Sequence, residues 1–177
     1  MRVVGSTVRS RPPPPASMIT TARRIEYARG YLELGLFAQA AHELTFIRRE
    51  DERAIEVMEV HVELHTAAKQ WDLAAAAAEQ VVLAKPYEPG GWISWAYATR
   101  RFRDIPSAEL ILLDAEKQLG ASCSMIHYNL ACYRCQQGDL EGAKERLAIA
   151  FRIEPLSKAA ALGDSDLVPL QDYIRSL

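Results

Sequence analysis

The chain has 177 residues, 49% hydrophobic and 25% charged, with a formal net charge of −2, ordinary composition for one soluble domain with a continuous core. Arg2, Arg9 and Arg11 stand within residues 1–17 with no acid beside them, leaving −5 on the remaining 160 residues, and so acidic a body lacks the clustered Lys and Arg by which nucleic acid is held. No run approaches the roughly 18 apolar residues that span a bilayer and the start lacks the apolar stretch of a secretory signal, so no membrane partner and a cytoplasmic location are expected, with the three cysteines read as reduced thiols.

In chain order, residues 1–17 come first. They include Pro12-Pro13-Pro14-Pro15 and no hydrophobic periodicity, so a disordered tail is expected. Four prolines can dock in an aromatic groove, but a plain solvated tail is the simpler reading. Met18 opens the first helical pattern and is an alternative start of translation. Residues 18–177 read as a single domain.

From Thr20 to Glu154 a helical pattern recurs, broken by sharp turns at Gly35, Lys69, Arg103 and Gly138. Ala40, Ala74, Ala108 and Ala143 each follow a turn by five residues and lie 34, 34 and 35 residues apart. Two further tracks keep this register: Ala28, Val62, Ala96 and Ala131, then Ile47, Val81, Ala115 and Ala150. A period of about 34 residues with two amphipathic helices per unit is the arithmetic of a helix–turn–helix solenoid. Gly35 and Gly138 can take the left-handed conformation that ends a helix. Pro86 and Pro155 close second helices, because proline cannot continue one. Ala74 to Ala78 are small, strong helix formers that let neighbouring helices approach closely.

With its turn, small-residue and proline tracks in this order, the chain resembles the tetratricopeptide repeat family, with repeats at about 21–54, 55–88, 89–122 and 124–157. The pattern is fullest from Tyr128-Asn129-Leu130-Ala131 through Gly138-Asp139-Leu140 to Ala143, Ala150 and Pro155. The other units depart from it. Lys69 and Arg103 replace the turn glycine, and Glu52 and Gly120 stand where a closing proline is usual. The resemblance implies an all-α, right-handed α-solenoid of eight helices. Residues 158–177 read as its cap. Asp164 and Ser165 suit an N-cap, Pro169 falls in the first turn, and Leu167, Leu170, Ile174 and Leu177 form one apolar stripe. This ending resembles those of bacterial-type tetratricopeptide proteins.

First helices of such repeats line a concave groove, by the same resemblance. Glu56, Glu59 and Glu63 lie within about 60° of one another on a helix, with Met58, His61, Val62 and His65 on the opposite, packing side. The matching positions are Ile25, Arg29, Leu32 and Glu33 in the first repeat and Ile93, Tyr97, Arg100 and Arg101 in the third. In the fourth they are Met125, Tyr128, Cys132, Cys135 and Gln136. Such a groove suits a peptide or helix of a partner protein carrying positive charge. The plainer reading is that Glu59 and Glu63 pair with Arg29 and Arg101 and solvate the surface. Family members that grip a chaperone's C-terminal carboxylate use Lys, Arg and Asn on these faces. Only Asn129 is of that type here, so this partner is not expected.

No catalytic residue, cofactor or metal site is assigned. Cys132-Tyr133-Arg134-Cys135 with Cys123 and His127 has zinc-like residue types, but on one helix Cys132 and Cys135 fall roughly 120–180° from Cys123. His61 and His65 share a helix face, yet Glu63 sits at the wrong offset for a metalloprotease base. Trp92 and Trp95 are read as junction core, and Trp71 is ambiguous between core and binding anchor. The function expected is a noncatalytic protein-binding scaffold or adaptor. The alternatives are a self-associating structural module, which makes a homo-oligomer, and a secretion-type chaperone.

Overall fold

A computed structural model describes residues 19–177, so the proline-containing tail and Met18 lie outside the described residues. Among the described residues all regular structure is helical. Four helix pairs follow one another: α1 (Thr21–Glu33) with α2 (Phe37–Leu44), α3 (Ile55–Ala67) with α4 (Trp71–Ala84), α5 (Pro89–Phe102) with α6 (Ile105–Leu119), and α7 (Ser124–Gln136) with α8 (Leu140–Ile153). The chain ends in α9 (Ser157–Ala161), a 3₁₀ segment (Ser165–Leu170) and α10 (Gln171–Ser176). The architecture is a tetratricopeptide-like α-solenoid.

Three of the four turns within pairs share one backbone solution. Gly35, Lys69 and Gly138 take φ of 70°, 56° and 85°. Each is followed by a residue whose N–H returns to the last helical turn: Leu36 to the Tyr31 carbonyl at 2.8 Å, Gln70 to His65 at 2.8 Å and Asp139 to Arg134 at 3.0 Å. That bond satisfies a carbonyl the helix end would otherwise leave open. Arg103 does not join the set. Its φ is −125°, and the turn is made instead by Asp104, whose carboxylate accepts from the Ser107 N–H at 2.6 Å. Lys69 therefore holds, with a side chain, a conformation that favours glycine. Lys69→Gly is expected to raise stability by about 0.5–1 kcal/mol, read as a higher urea midpoint with an unchanged slope.

The alanine tracks lie wholly inside the packed helices. Ala40, Ala74, Ala108 and Ala143 are completely buried, as are Ala28, Ala96 and Ala131. Gly91 continues the same logic at the α4–α5 junction, where an added Cβ would lie 3.0 Å from Val81 Cγ1. Trp92 is buried there with its indole N–H donating to the Pro86 carbonyl at 2.9 Å. The apolar core divides in two. Ile25, Leu44, Ile47, Val57, Val60 and Leu64 form an N-terminal cluster, and a larger one runs from Val82 and Trp92 to Ile174. Between them Ala74, Ala75 and Ala98 make a thin contact, joined by Trp95.

Two expectations need correcting. Along α3 the most buried side chains are Val57, Val60 and Leu64, while Met58, His61, Val62 and His65 are half-buried. A helix inside a solenoid has neighbours on both flanks, so its buried arc is wider than one stripe. The C-terminal cap is not one α-helix entered at Asp164. Pro169 has no N–H to give the Ser165 carbonyl, and the segment winds as 3₁₀ to Leu170 before α10 begins. Leu167, Leu170 and Ile174 are buried, whereas Leu177 is exposed.

Candidate functional site

The faces of α1, α3 and α5 enclose two adjoining hollows. One is lined by Arg29, Leu32, Glu33, Thr66 and Ala67, the other by Glu59, Val81, Glu88, Gly90 and Gly91, and both by Val62, Glu63 and Ser94. Shared walls make them one groove, with room for a run of side chains. Its floor is apolar at Leu32, Val62 and Val81, and its rim carries the carboxylates. Val62 stands where the other first helices have a completely buried alanine, so its extra methyl groups project into the hollow.

Arg29 Nη2 donates to Glu63 Oε1 at 2.9 Å and Nε to Oε2 at 3.0 Å, and this contact holds the Arg29 guanidinium above its usual pKa. Both side chains are more than two-fifths exposed, and an exposed pair contributes at most about 1 kcal/mol, so a ligand can displace it at little cost. Glu59 does not pair with Arg101. Its partner is Lys85 at 3.6 Å, and Lys85 also bridges to Glu88 at 3.2 Å. One ammonium is shared by two carboxylates, which leaves the rim negative. Arg101 instead lies over the rings of Trp71 and Tyr97, 5.5 and 4.9 Å from their centroids, and donates to the Tyr97 hydroxyl at 3.0 Å. Trp71 meets Tyr97 edge-on, which makes it part of a packed surface cluster.

The other predicted groove residues fall outside the hollows. Ile25 is buried in the N-terminal cluster, because α1 turns that face towards its neighbours. Ile93 packs against the larger core, and Ser94 lines the groove in its place. Glu56, exposed at the first turn of α3, and Met125, exposed on α7, line neither hollow.

Towards the fourth repeat the concave face is covered by the chain itself. Arg100 Nη1 and Nη2 donate to the Asp166 carboxylate at 2.6 and 3.2 Å. The Tyr128 hydroxyl donates to Asp164 Oδ2 at 2.8 Å, and the Gln136 amide to the Asp166 carbonyl at 3.0 Å. The Cys132 thiol lies 3.7 Å from Asp164 Oδ2. Burial, with Asp164 beside it, pushes both the Tyr128 phenol and the Cys132 thiol up, away from ionisation. Cys132 Sγ and oxygens of Asp164 and Asp166 do lie within 4.8 Å of one another, the spacing of a metal cluster. Arg100, Tyr128 and the Asp166 N–H, which bonds Asp164 at 2.9 Å, already satisfy the carboxylates, so the group is accounted for as a lock on the cap. Cys135 is buried and its thiol likewise raised. His127 is buried with Nε2 3.0 Å from the Ala121 carbonyl and Nδ1 3.0 Å from Arg146 Nη1, so both nitrogens are engaged within the protein.

His61 stacks on His65 with ring centroids 5.8 Å apart. Burial chiefly, and then the neighbouring His65, push His61 below the ordinary value of 6.5, against a weaker opposing pull from Glu52. The unfolded chain therefore takes up a proton before the folded one does. The stability this histidine confers is complete above about 6.5 and falls as pH drops through the folded value. His61→Gln is expected to flatten the loss of stability as pH falls below about 6.5; urea unfolding at a series of pH values below that point checks it, and an unchanged slope would contradict it.

Sequence reasoning missed Val62, Thr66, Ser94, Lys85 and Glu88. Val62 carried a signal, as the one bulky member of an otherwise alanine track. Lys85 and Glu88 lie in the connection between repeats, where helical periodicity assigns no face.

No helix among the described residues is long and apolar enough to cross a membrane. No family model matches the chain, and no curated protein does. Solved structures do. A crystal structure of MamA protein has a TM-score of 0.68 at 14% identity, covering 88% of this chain and 86% of that one. A second crystal structure of MamA has a TM-score of 0.65 at 14% identity, over 84% of this chain and 88% of that one. MamA MSR-1 C2 has a TM-score of 0.63 at 18% identity, over 76% and 77%. MamA is a tetratricopeptide-like helical repeat protein, and at these identities the likeness concerns the fold: this chain is folded as a tetratricopeptide-like α-solenoid.

Proposed function

We propose that the protein is a noncatalytic adaptor that binds a positively charged peptide or helix of a partner protein in the groove across α1, α3 and α5. The observation that carries this reading is the combination of an apolar floor with a rim of Glu33, Glu59, Glu63 and Glu88. Apolar side chains of a ligand would cover Leu32, Val62 and Val81. Its basic groups would take over carboxylates now held by Arg29 and by the shared Lys85. Charge complementarity of this kind sets specificity and association rate more than raw affinity. The same rim repels an acidic chaperone tail. The ligand is confined to the first three repeats, because Asp164 and Asp166 occupy the face at Arg100, Tyr128 and Cys132.

The test uses wild type and the Glu59→Lys, Glu63→Lys variant as bait in lysate, with mass spectrometry of what is retained. A partner captured by wild type and lost in a variant of unchanged helical content is the expected result. Equal capture by both would remove the groove from consideration.

A further inference from the structure

We infer that Glu59 and Glu88 form a subsite for one arginine side chain of the partner segment, and that Lys85 occupies it as a stand-in until the partner binds. This rests on the reading of the groove as a site for basic peptides, and it names the residue such a peptide brings to the edge at Gly90.

The carboxylates on the rim are not equally satisfied. Glu63 is held by the fork of Arg29, with bonds of 2.9 and 3.0 Å from Nη2 and Nε, so a ligand arginine there would exchange one guanidinium for another. Glu59 and Glu88 share a single ammonium. Lys85 Nζ lies 3.2 Å from Glu88 Oε2 and 3.6 Å from Glu59 Oε1, both beyond the roughly 2.7–2.9 Å of a charge-assisted bond. The contacting oxygens can be no further apart than these two contacts laid end to end, and both residues line the same hollow. The compact ammonium has closed neither distance, whereas a planar guanidinium carries five donors in diverging directions. An arginine therefore gains what Lys85 leaves unmade, while a lysine would only replace like with like.

The frame beneath the subsite is already fixed. The Lys85 N–H donates to the Val81 carbonyl at 2.8 Å, and the Lys85 carbonyl accepts from the Glu88 N–H at 3.2 Å. Between them the Trp92 indole N–H holds the Pro86 carbonyl at 2.9 Å. The backbone that carries both side chains is thus pinned, while the flexible four-carbon stem of the lysine can swing its charge away. The bond to Glu88, ahead of the pull of Glu59, keeps the ammonium above its usual pKa, so the stand-in is charged at neutral pH. Gly90 lines the same hollow, and a Cβ added there would meet nothing within 4 Å, which leaves room for an incoming side chain.

The test titrates the full-length protein with two decapeptides, one alternating arginine and valine, the other lysine and valine. Wild type is expected to bind the arginine peptide at least about fivefold tighter, and Glu88→Gln to bring the two within about twofold. Glu88 is exposed and its side chain caps no helix N–H, so this variant keeps its fold. Lys85→Met should tighten the arginine peptide at least about threefold by removing the competitor. Lys117→Met, an equal change of charge on α6 where Lys117 bonds Asp114, should not. Equal affinity of wild type for the two peptides, a preference for arginine that survives Glu88→Gln, or a Lys85→Met variant no tighter than Lys117→Met would each overturn the inference. The Glu59→Lys, Glu63→Lys variant separates it from the reading beneath it. If both peptides bind wild type alike and lose that binding in the double variant, only the arginine subsite fails; if neither peptide binds wild type, the reading of the groove fails with it.

Discussion

Leu130→Ala is expected to remove about 3–4 kcal/mol of stability, and to remove it unevenly along the chain. Leu130 is completely buried in α7, within the cluster that joins the third and fourth repeats to the cap residues Leu167, Leu170 and Ile174. It shares that cluster with the completely buried Ala96, Ala108 and Ala143, short side chains that cannot swing in to fill a void. The cavity therefore cannot collapse easily, which puts the cost in the middle of the range for leucine truncations. Unevenness follows from the divided core. The N-terminal cluster meets the larger one mainly through Ala74, Ala75 and Ala98, and alanine side chains transmit little burial energy across a junction. Neighbour interactions dominate solenoid stability, so α7, α8 and the cap should lose hydrogen-exchange protection while α1 to α3 keep most of theirs. An equal loss in every helix would show that the thin junction is not a boundary.

Arg100→Ala is expected to cost about 2–3 kcal/mol, at or below the low end for breaking a buried ion pair because Asp166 keeps about a quarter of its exposure. Two effects combine. Asp166 loses both hydrogen bonds from the guanidinium, and the cation leaves the face of Tyr133, 5.3 Å from its centroid. Arg100→Lys should recover only part, since an ammonium cannot make the paired contact. The double variant Arg100→Ala, Asp166→Ala should be more stable than the sum of the single losses predicts, by about 1 kcal/mol or more. Strictly additive losses in urea unfolding would mean that the pair does not hold the cap.

These particulars show what the order of amino acids carries. The solenoid is legible because close helix contact tolerates only small side chains, so Ala40, Ala74, Ala108 and Ala143 recur wherever two helices touch. The turns are legible where glycine stands, and at Lys69 only because register demands a turn there. The cap's apolar stripe can be read from Leu167, Leu170 and Ile174. Its destination cannot, because periodicity says which side of a helix is apolar and not which neighbour it covers. For that reason Arg100, Tyr128 and Cys132 read as open groove, although the chain's own Asp164 and Asp166 sit on them. The same limit applies to charges. Arg29 and Glu63 occupy one position in consecutive repeats and meet as adjacent helices require. The Lys85 bridge and the stacking of Arg101 on Trp71 depend on connections between helices, which no helical wheel orders.

The claim that matters most is that the open part of the concave face, across α1, α3 and α5, is where ligands bind. Titrating isotope-labelled protein with a decapeptide alternating arginine and valine, and following backbone amide chemical shifts, tests it most directly. The largest shifts are predicted at Arg29, Val62, Glu63, Ser94, Glu88, Gly90 and Gly91, with Tyr128 to Gln136 and Asp164 to Asp166 unmoved. Shifts centred on α7 or on the outer helices at Leu83 and Leu110, or none at about millimolar peptide, would contradict the account.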